Sequence, residues 1–278
     1  PPSVMYRGGH TEDMGPSLQD VCRDHRDESD SLATVLGSLA NTQWQTATPA
    51  PGWAISDQVA HLAMFDERAL WSISDPKRFA TDRDALMSGG KYIEVHEQWA
   101  SMEPTQLFQR WHDGVIALSE VASQSDPATR CEWYGPPMSI TSKMTARIME
   151  TWAHAHDVVD ALQMTVSFSP RLRHVAHIGV RSRVFAFAAN SQEAPAVEPY
   201  VELQTPSGDV WTWGDPHSED VVRGPALGFC RLVTQRRHMD DTGVTAQGEG
   251  AIAWMKIAQA FAGPPGKGRT SGQFTTAT

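Results

Sequence analysis

Glu150 and His154, four positions apart in METWAHAHDVVDAL, are the residues of this chain best placed to do chemistry. On a helix four residues turn through about 400°, so both side chains project from one face, one turn apart. A carboxylate and an imidazole so placed can share one divalent ion, although a solvated helix face carries the same pair often enough. The flanking residues Ile148, Met149, Trp152, Ala153, Val158 and Val159 are apolar. The pair should therefore point inward or into a cleft, where charge is costly unless it is paired or coordinates a metal. A third ligand must come from another helix, and His61 in DQVAHLAMF is the candidate, standing among small and apolar positions. Its competing reading is a satisfied core histidine. Two histidines and one carboxylate leave positions for water or substrate, which is the pattern of an open catalytic site. Zinc, nickel, iron and manganese all suit such donors.

Arg147 lies three residues before Glu150, and Asp157 three after His154. Both fall on the ligand stripe and are expected to orient the ligands from behind. His156 is about 200° round from Glu150 and should face away.

These residues need helices to hold them. Leu18, Val21, Cys22, Leu32, Val35, Leu36 and Leu39 form one apolar face. Ser56 reads as an N-cap, with Asp57 in the first turn, for the helix that carries His61. KRFATDRDALMSGGK reads as a loop and is followed by a short helix around Tyr92, Val95 and Trp99. Pro104 opens another helix. WYGPPMSITS cannot be helical across its two prolines, so the helix bearing Glu150 starts after Ser139 or Ser142 and runs to about Leu162. That loop can line the cleft and offer the Tyr134 hydroxyl as a proton donor, or simply be a rigid aromatic turn. Four long helices and a short one make a bundle, a common setting for metal sites built from facing helices.

Beyond about residue 165 the pattern changes. Ser169-Pro170 opens a helix to about Ala189; VEPYVELQ and DVWTWG flank the turn TPSGD as a hairpin; GPALGFCRLVTQRR and GAIAWMKIAQAF read as helices. The fold class is α+β, with bundle residues 17–167, a smaller α+β domain 168–263, and flexible tails 1–16 and 264–278.

The formal net charge of −10 argues against nucleic-acid or anionic-membrane partners and leaves a small-molecule substrate. No apolar stretch reaches the roughly 20 residues of a membrane helix, and no basic-then-apolar leader is present, so a cytoplasmic location is expected. Three scattered cysteines indicate buried thiols and neither disulfides nor a thiolate zinc cluster. The 11 histidines are many for the length.

PGWAISDQVAHLAMFD and METWAHAHDVVDAL together resemble the two motifs of the DinB-like proteins, in the maleylpyruvate isomerase branch that uses mycothiol. The resemblance runs from about residue 17 to 263. It implies a divalent metal, usually zinc, on His61, Glu150 and His154, and a DinB-like four-helix bundle followed by a C-terminal domain resembling sterol-carrier folds. It further implies mycothiol as cofactor or co-substrate, so that a thiolate adds to, or isomerises, an electrophilic small molecule. Arg147, Arg236 and Arg237 are the candidates for anionic groups on thiol or substrate. RGPALGFCRLVTQRRH and AQAFAGPP depart from the isomerase proper. That departure keeps two alternatives open: a thiol-independent hydrolase, lyase or cyclase acting on a specialised metabolite, and a non-catalytic binding protein.

Overall fold

Apolar residues at three-and-four spacing become helices whose stripes meet in a bundle. The computed structural model describes residues 15–88, 91–165 and 168–274. Helix α1 (Leu18–Gly37) starts in a reciprocal cap between Ser17 and Asp20. Helix α2 (Ile55–Ser74) carries His61. Its cap differs from the expected Ser56: Asp57 reaches back to the Ala54 backbone N–H at 2.8 Å, satisfying one of the orphan donors of the first turn. The segment expected to be a loop is instead helix α3 (Pro76–Met87). Pro76 occupies the first position, Asp75 caps the Arg78 N–H, and Phe79 and Leu86 are buried. Two apolar anchors two turns apart outweighed the polar composition. Helices α4 (Lys91–Ala100) and α5 (Pro104–Ser123) follow. Strands β1 (Arg130–Cys131) and β2 (Met138–Ser139) pair across the Pro136-Pro137 turn, and Ser139 caps α6 (Ile140–Ala161). The four long helices α1, α2, α5 and α6 form the bundle.

The second half is one small mixed sheet covered by helices. Helices α7 (Leu172–Arg181) and α8 (Arg183–Ala189) replace the single expected helix; the chain breaks at Ser182, whose hydroxyl bonds the Gly179 carbonyl at 3.0 Å. Strands β3 (Tyr200–Gln204) and β4 (Val210–Trp213) form the expected antiparallel hairpin. Strand β5 (Val221–Pro225) lies parallel to β3, then come α9 (Ala226–Val233), β6 (Thr245–Gln247) and α10 (Glu249–Ile257), in sheet order β4-β3-β5-β6. Gly179 lets α7 approach α9, because a Cβ there would sit 2.7 Å from Val233 Cγ2. The architecture is thus α+β. Among the described residues no helix is long and apolar enough to cross a membrane. The three cysteines are unbridged and buried.

Helix α6 belongs to three apolar clusters at once. Met144 and Ile148 pack with Leu18, Val21 and Leu118; Val158 packs with Leu62, Trp111 and Val59; Met149, Trp152 and Ala153 join the second-half core with Val175, Phe229 and Trp254. Packed on every side, α6 encloses polar positions as well as apolar ones, Lys143, Arg147, His156 and Asp157 among them, and this is the setting of Glu150 and His154.

Residues 264–274 make specific contacts with both halves: Gly266 N–H donates to Gln259, Arg269 to Asp157 at 2.8 Å, and Gly272 N–H to Asp241. Residues 1–14 and 275–278 lie outside the described residues.

Candidate metal centre

His61 on α2 faces Glu150 and His154 on α6, and one ligand atom from each lies within 4.8 Å of the others. Glu150 Oε2 is 3.3 Å from His154 Nε2 and 3.8 Å from His61 Nε2. The imidazole rings are 4.5 Å apart. The site is enclosed but reachable, with 18%, 20% and 10% of the side-chain surface of His61, Glu150 and His154 exposed.

Hydrogen-bond bookkeeping assigns the protons. Thr48 Oγ1 donates to the Trp53 carbonyl at 2.8 Å, so it accepts from Gln58 Nε2 at 2.9 Å. That leaves Gln58 Oε1 facing His154 Nδ1 at 2.5 Å, and Nδ1 must carry the proton. His154 Nε2 therefore presents a lone pair to the Glu150 carboxylate. On the other ligand, His61 Nδ1 meets the Tyr92 hydroxyl at 3.1 Å, leaving Nε2 on the carboxylate side. Burial depresses both imidazoles, His61 to about 3, so they are neutral. Burial raises the Glu150 carboxyl, but the adjoining His154 and His61 imidazoles outweigh it and hold the pKa well below the ordinary range. Neutral imidazoles and an ionised carboxylate are the states a metal requires of its ligands. The His154 lone pair and the Glu150 carboxylate repel unless a cation lies between them, and His61 adds a third donor within reach, so this set fits a divalent ion.

An aromatic wall surrounds the group. Trp53 packs on His154 (5.9 Å), His61 (5.5 Å) and His96 (4.8 Å), and Phe65 on His61 (4.6 Å). Tyr92 adjoins both Phe65 and His96.

The other expected site residues lie elsewhere. Asp157 does not touch His154; its oxygens go to Arg236 at 2.9 Å and Arg269 at 2.8 Å. Arg147 is in a buried ion pair with Asp66 at 2.7 Å. Arg237 makes a two-pronged pair with Asp160 at 2.7 Å, joining the two halves. Tyr134 has a buried hydroxyl in the cluster of Phe65, Phe79 and Trp133, while the hydroxyl that meets a ligand is that of Tyr92. His156 faces away from the group, accepting from Arg231 and stacking on Trp152.

Gln58 and Tyr92 are the positions that sequence reasoning missed. Gln58 had a readable signal, a polar residue one turn before His61 on an otherwise apolar face. Tyr92 had none, being 31 residues from its partner. Gln58→Leu should weaken metal binding by about 10–100-fold, the usual cost of losing an outer-shell partner, while Asp157→Asn should change it little. Titration of each variant with Zn²⁺ against a competing chelator checks the order; equal losses would return Asp157 to the ligand shell.

Residues 25–159 match the family described as the mycothiol maleylpyruvate isomerase N-terminal domain, a span that includes all three candidate ligands. Two uncharacterised proteins of Mycobacterium tuberculosis, from strains CDC 1551 / Oshkosh and H37Rv, are each 42% identical over 259 residues, 92% of this chain and 99% of theirs. The chain belongs among the proteins that carry the mycothiol maleylpyruvate isomerase N-terminal domain. A crystal structure of the mycothiol-dependent maleylpyruvate isomerase superposes with a TM-score of 0.57 at 18% identity, over 83% of this chain and 93% of that one. A histidine-to-alanine variant of that isomerase gives 0.58. The family fold thus extends through both halves of the chain.

Proposed function

We propose that this family member is a metal-dependent enzyme that uses a low-molecular-weight thiol of the mycothiol type on an electrophilic small molecule, as an isomerase or S-transferase. The observation that carries the reading is the convergence of His61, Glu150 and His154 from two facing helices, their ligand atoms within 4.8 Å of one another. His61, Glu150 and His154 would hold the ion, zinc before nickel, iron or manganese. An ion there would lower the pKa of a thiol or water sharing it and so supply a nucleophile at neutral pH.

The chain's own residues do the rest. Gln58 keeps His154 in the Nδ1–H tautomer and fixes its ring. Tyr92 holds the His61 ring through Nδ1, and its hydroxyl, raised to about 12 by burial, stays protonated and can donate to a carbanion or alkoxide. Trp53 packs on both rings and Phe65 on that of His61, which shields them from water.

A second reading, a metalloenzyme that needs no thiol, draws support from Arg236 and Arg237. Both are engaged with aspartates and neither is free to anchor an anionic thiol. One experiment separates the two. Protein purified without chelator should carry close to one divalent ion per chain by elemental analysis. Consumption of an α,β-unsaturated carbonyl compound should then need both the ion and mycothiol. Turnover with the ion alone would replace the first reading by the second, and absence of the ion would reject both.

A further inference from the structure

We propose that the junction between the two halves binds a small, doubly charged oxyanion of the phosphate type, and that the C-terminal segment 264–274 closes over it through Arg269. Such a site stands beside the candidate metal centre and needs neither the thiol nor the electrophile.

Charge is the first reason. Arg236 and Arg269 share the Asp157 carboxylate on α6, and Arg237 takes that of Asp160 one turn on. Arg231 has no carboxylate and donates instead from Nε to His156 Nε2 at 3.1 Å. Among the described residues, four guanidinium groups thus face two carboxylates, and two positive charges are left unmatched. The side chains of Arg236, Arg237 and Arg269 are only 12%, 9% and 11% exposed. Enclosed charge of one sign is costly unless a counter-charge joins it.

Unused donors are the second. Because His156 Nε2 accepts from Arg231, the proton of its ring sits on Nδ1. His156 Nδ1, Arg236 Nε and Arg269 Nε are buried, and none meets an acceptor among the described residues. Burial first, and then the charges of Arg231, Arg237, Arg236 and Arg269, keep the His156 ring neutral, so all four arginines lie within electrostatic reach of it. A doubly charged oxyanion supplies both the missing charge and the missing acceptors. No arginine has to leave its aspartate.

The third is the way the C-terminal segment is held. Gln259, 1% exposed, accepts from the Gly266 N–H and donates to the carbonyls of Phe261, Gly263 and Pro264, which fixes where the segment leaves the second half. Further along, Arg269 reaches Asp157, the Gly272 N–H reaches Asp241, and Phe274 lies 3.8 Å from the Arg237 guanidinium. Arg269 has no carboxylate to itself, since Asp157 already pairs with Arg236. Closing the segment therefore brings a fourth cation to three, and a bound anion offsets that repulsion. The coupling is reciprocal: an anion that favours the closed segment is held more tightly by it.

Hydrogen exchange of the purified protein, with no thiol added, tests the coupling. In phosphate at about ten times its Kd, the 264–274 peptide should exchange about tenfold more slowly than in chloride of equal ionic strength, because binding stabilises the closed state by mass action. Isothermal titration with phosphate supplies the Kd. Arg269→Gln, a change outside both apolar cores, should abolish the slowing and weaken phosphate binding by about tenfold or more, the loss expected when a charged hydrogen-bond donor is removed. Equal exchange in phosphate and chloride overturns the proposal. So does slowing of the same size in Arg269→Gln, which would place the phosphate elsewhere, on the metal centre included.

Discussion

Glu150→Gln should give a folded protein that keeps no divalent ion through purification and loses activity by orders of magnitude. The amide preserves the shape of the side chain but removes the one negative charge among three ligands, and coordination by two neutral imidazoles is too weak to survive chelator-free chromatography. The proton assignment adds a less obvious consequence. In the metal-free protein the Glu150 carboxylate opposes the Nε2 lone pair of His154 at 3.3 Å. A glutamine amide can donate to it. The metal-free variant should therefore melt at or above metal-free wild type, although it has lost a ligand. Adding Zn²⁺ should raise the melting temperature of wild type only, since ligand binding stabilises by mass action. Differential scanning calorimetry with chelator and with Zn²⁺ measures both, and an equal Zn²⁺ response in the two proteins would remove Glu150 from the ligand set.

The second large effect is structural. Asp66→Ala should destabilise the bundle by about 3–5 kcal/mol, the cost of breaking a buried pair and leaving one charge alone. Asp66 is fully buried and bonded to Arg147 on α6, with His25 of α1 at 3.8 Å and His25 in turn 3.0 Å from Ser119 of α5. The pair ties together the two helices that carry the candidate ligands, and the layer draws a polar group from every bundle helix. Replacing both partners, Asp66→Leu with Arg147→Met, should recover most of the loss, because the uncompensated charge is gone. Urea unfolding followed by circular dichroism provides the numbers. A double variant as unstable as Asp66→Ala would show that the layer has a role beyond charge neutralisation.

What each level of description determined can be read from particular residues. The three candidate ligands were legible because a metal site on helices imposes a spacing: Glu150 and His154 must be a turn apart, and His61 must interrupt a run of small and apolar residues. The bundle was legible for the same reason, since burial of one face repeats every three to four positions. The hairpin β3–β4 was legible from alternation around a turn.

Helix α3 was not, because its composition is polar and only Phe79 and Leu86, with the Asp75 cap, commit it to a helix against the bundle. Strand β5 was not, because its parallel partner β3 is remote in the chain and nothing local announces such pairing. The supporting shell was the least visible part. Asp157 and Arg147 had the right spacing to serve the ligands, and tertiary packing gave them other partners: Arg236 and Arg269 from the second half, and Asp66 from α2. Helical phase states which way a side chain leaves its own helix. Which group meets it there depends on how neighbouring helices are rotated and on where distant segments return. For that reason the sequence alone determined the candidate ligands and the bundle, while only the tertiary structure decided that Gln58 and Tyr92 meet the two candidate histidines and that Arg236 and Arg237 are spent on holding the two halves together.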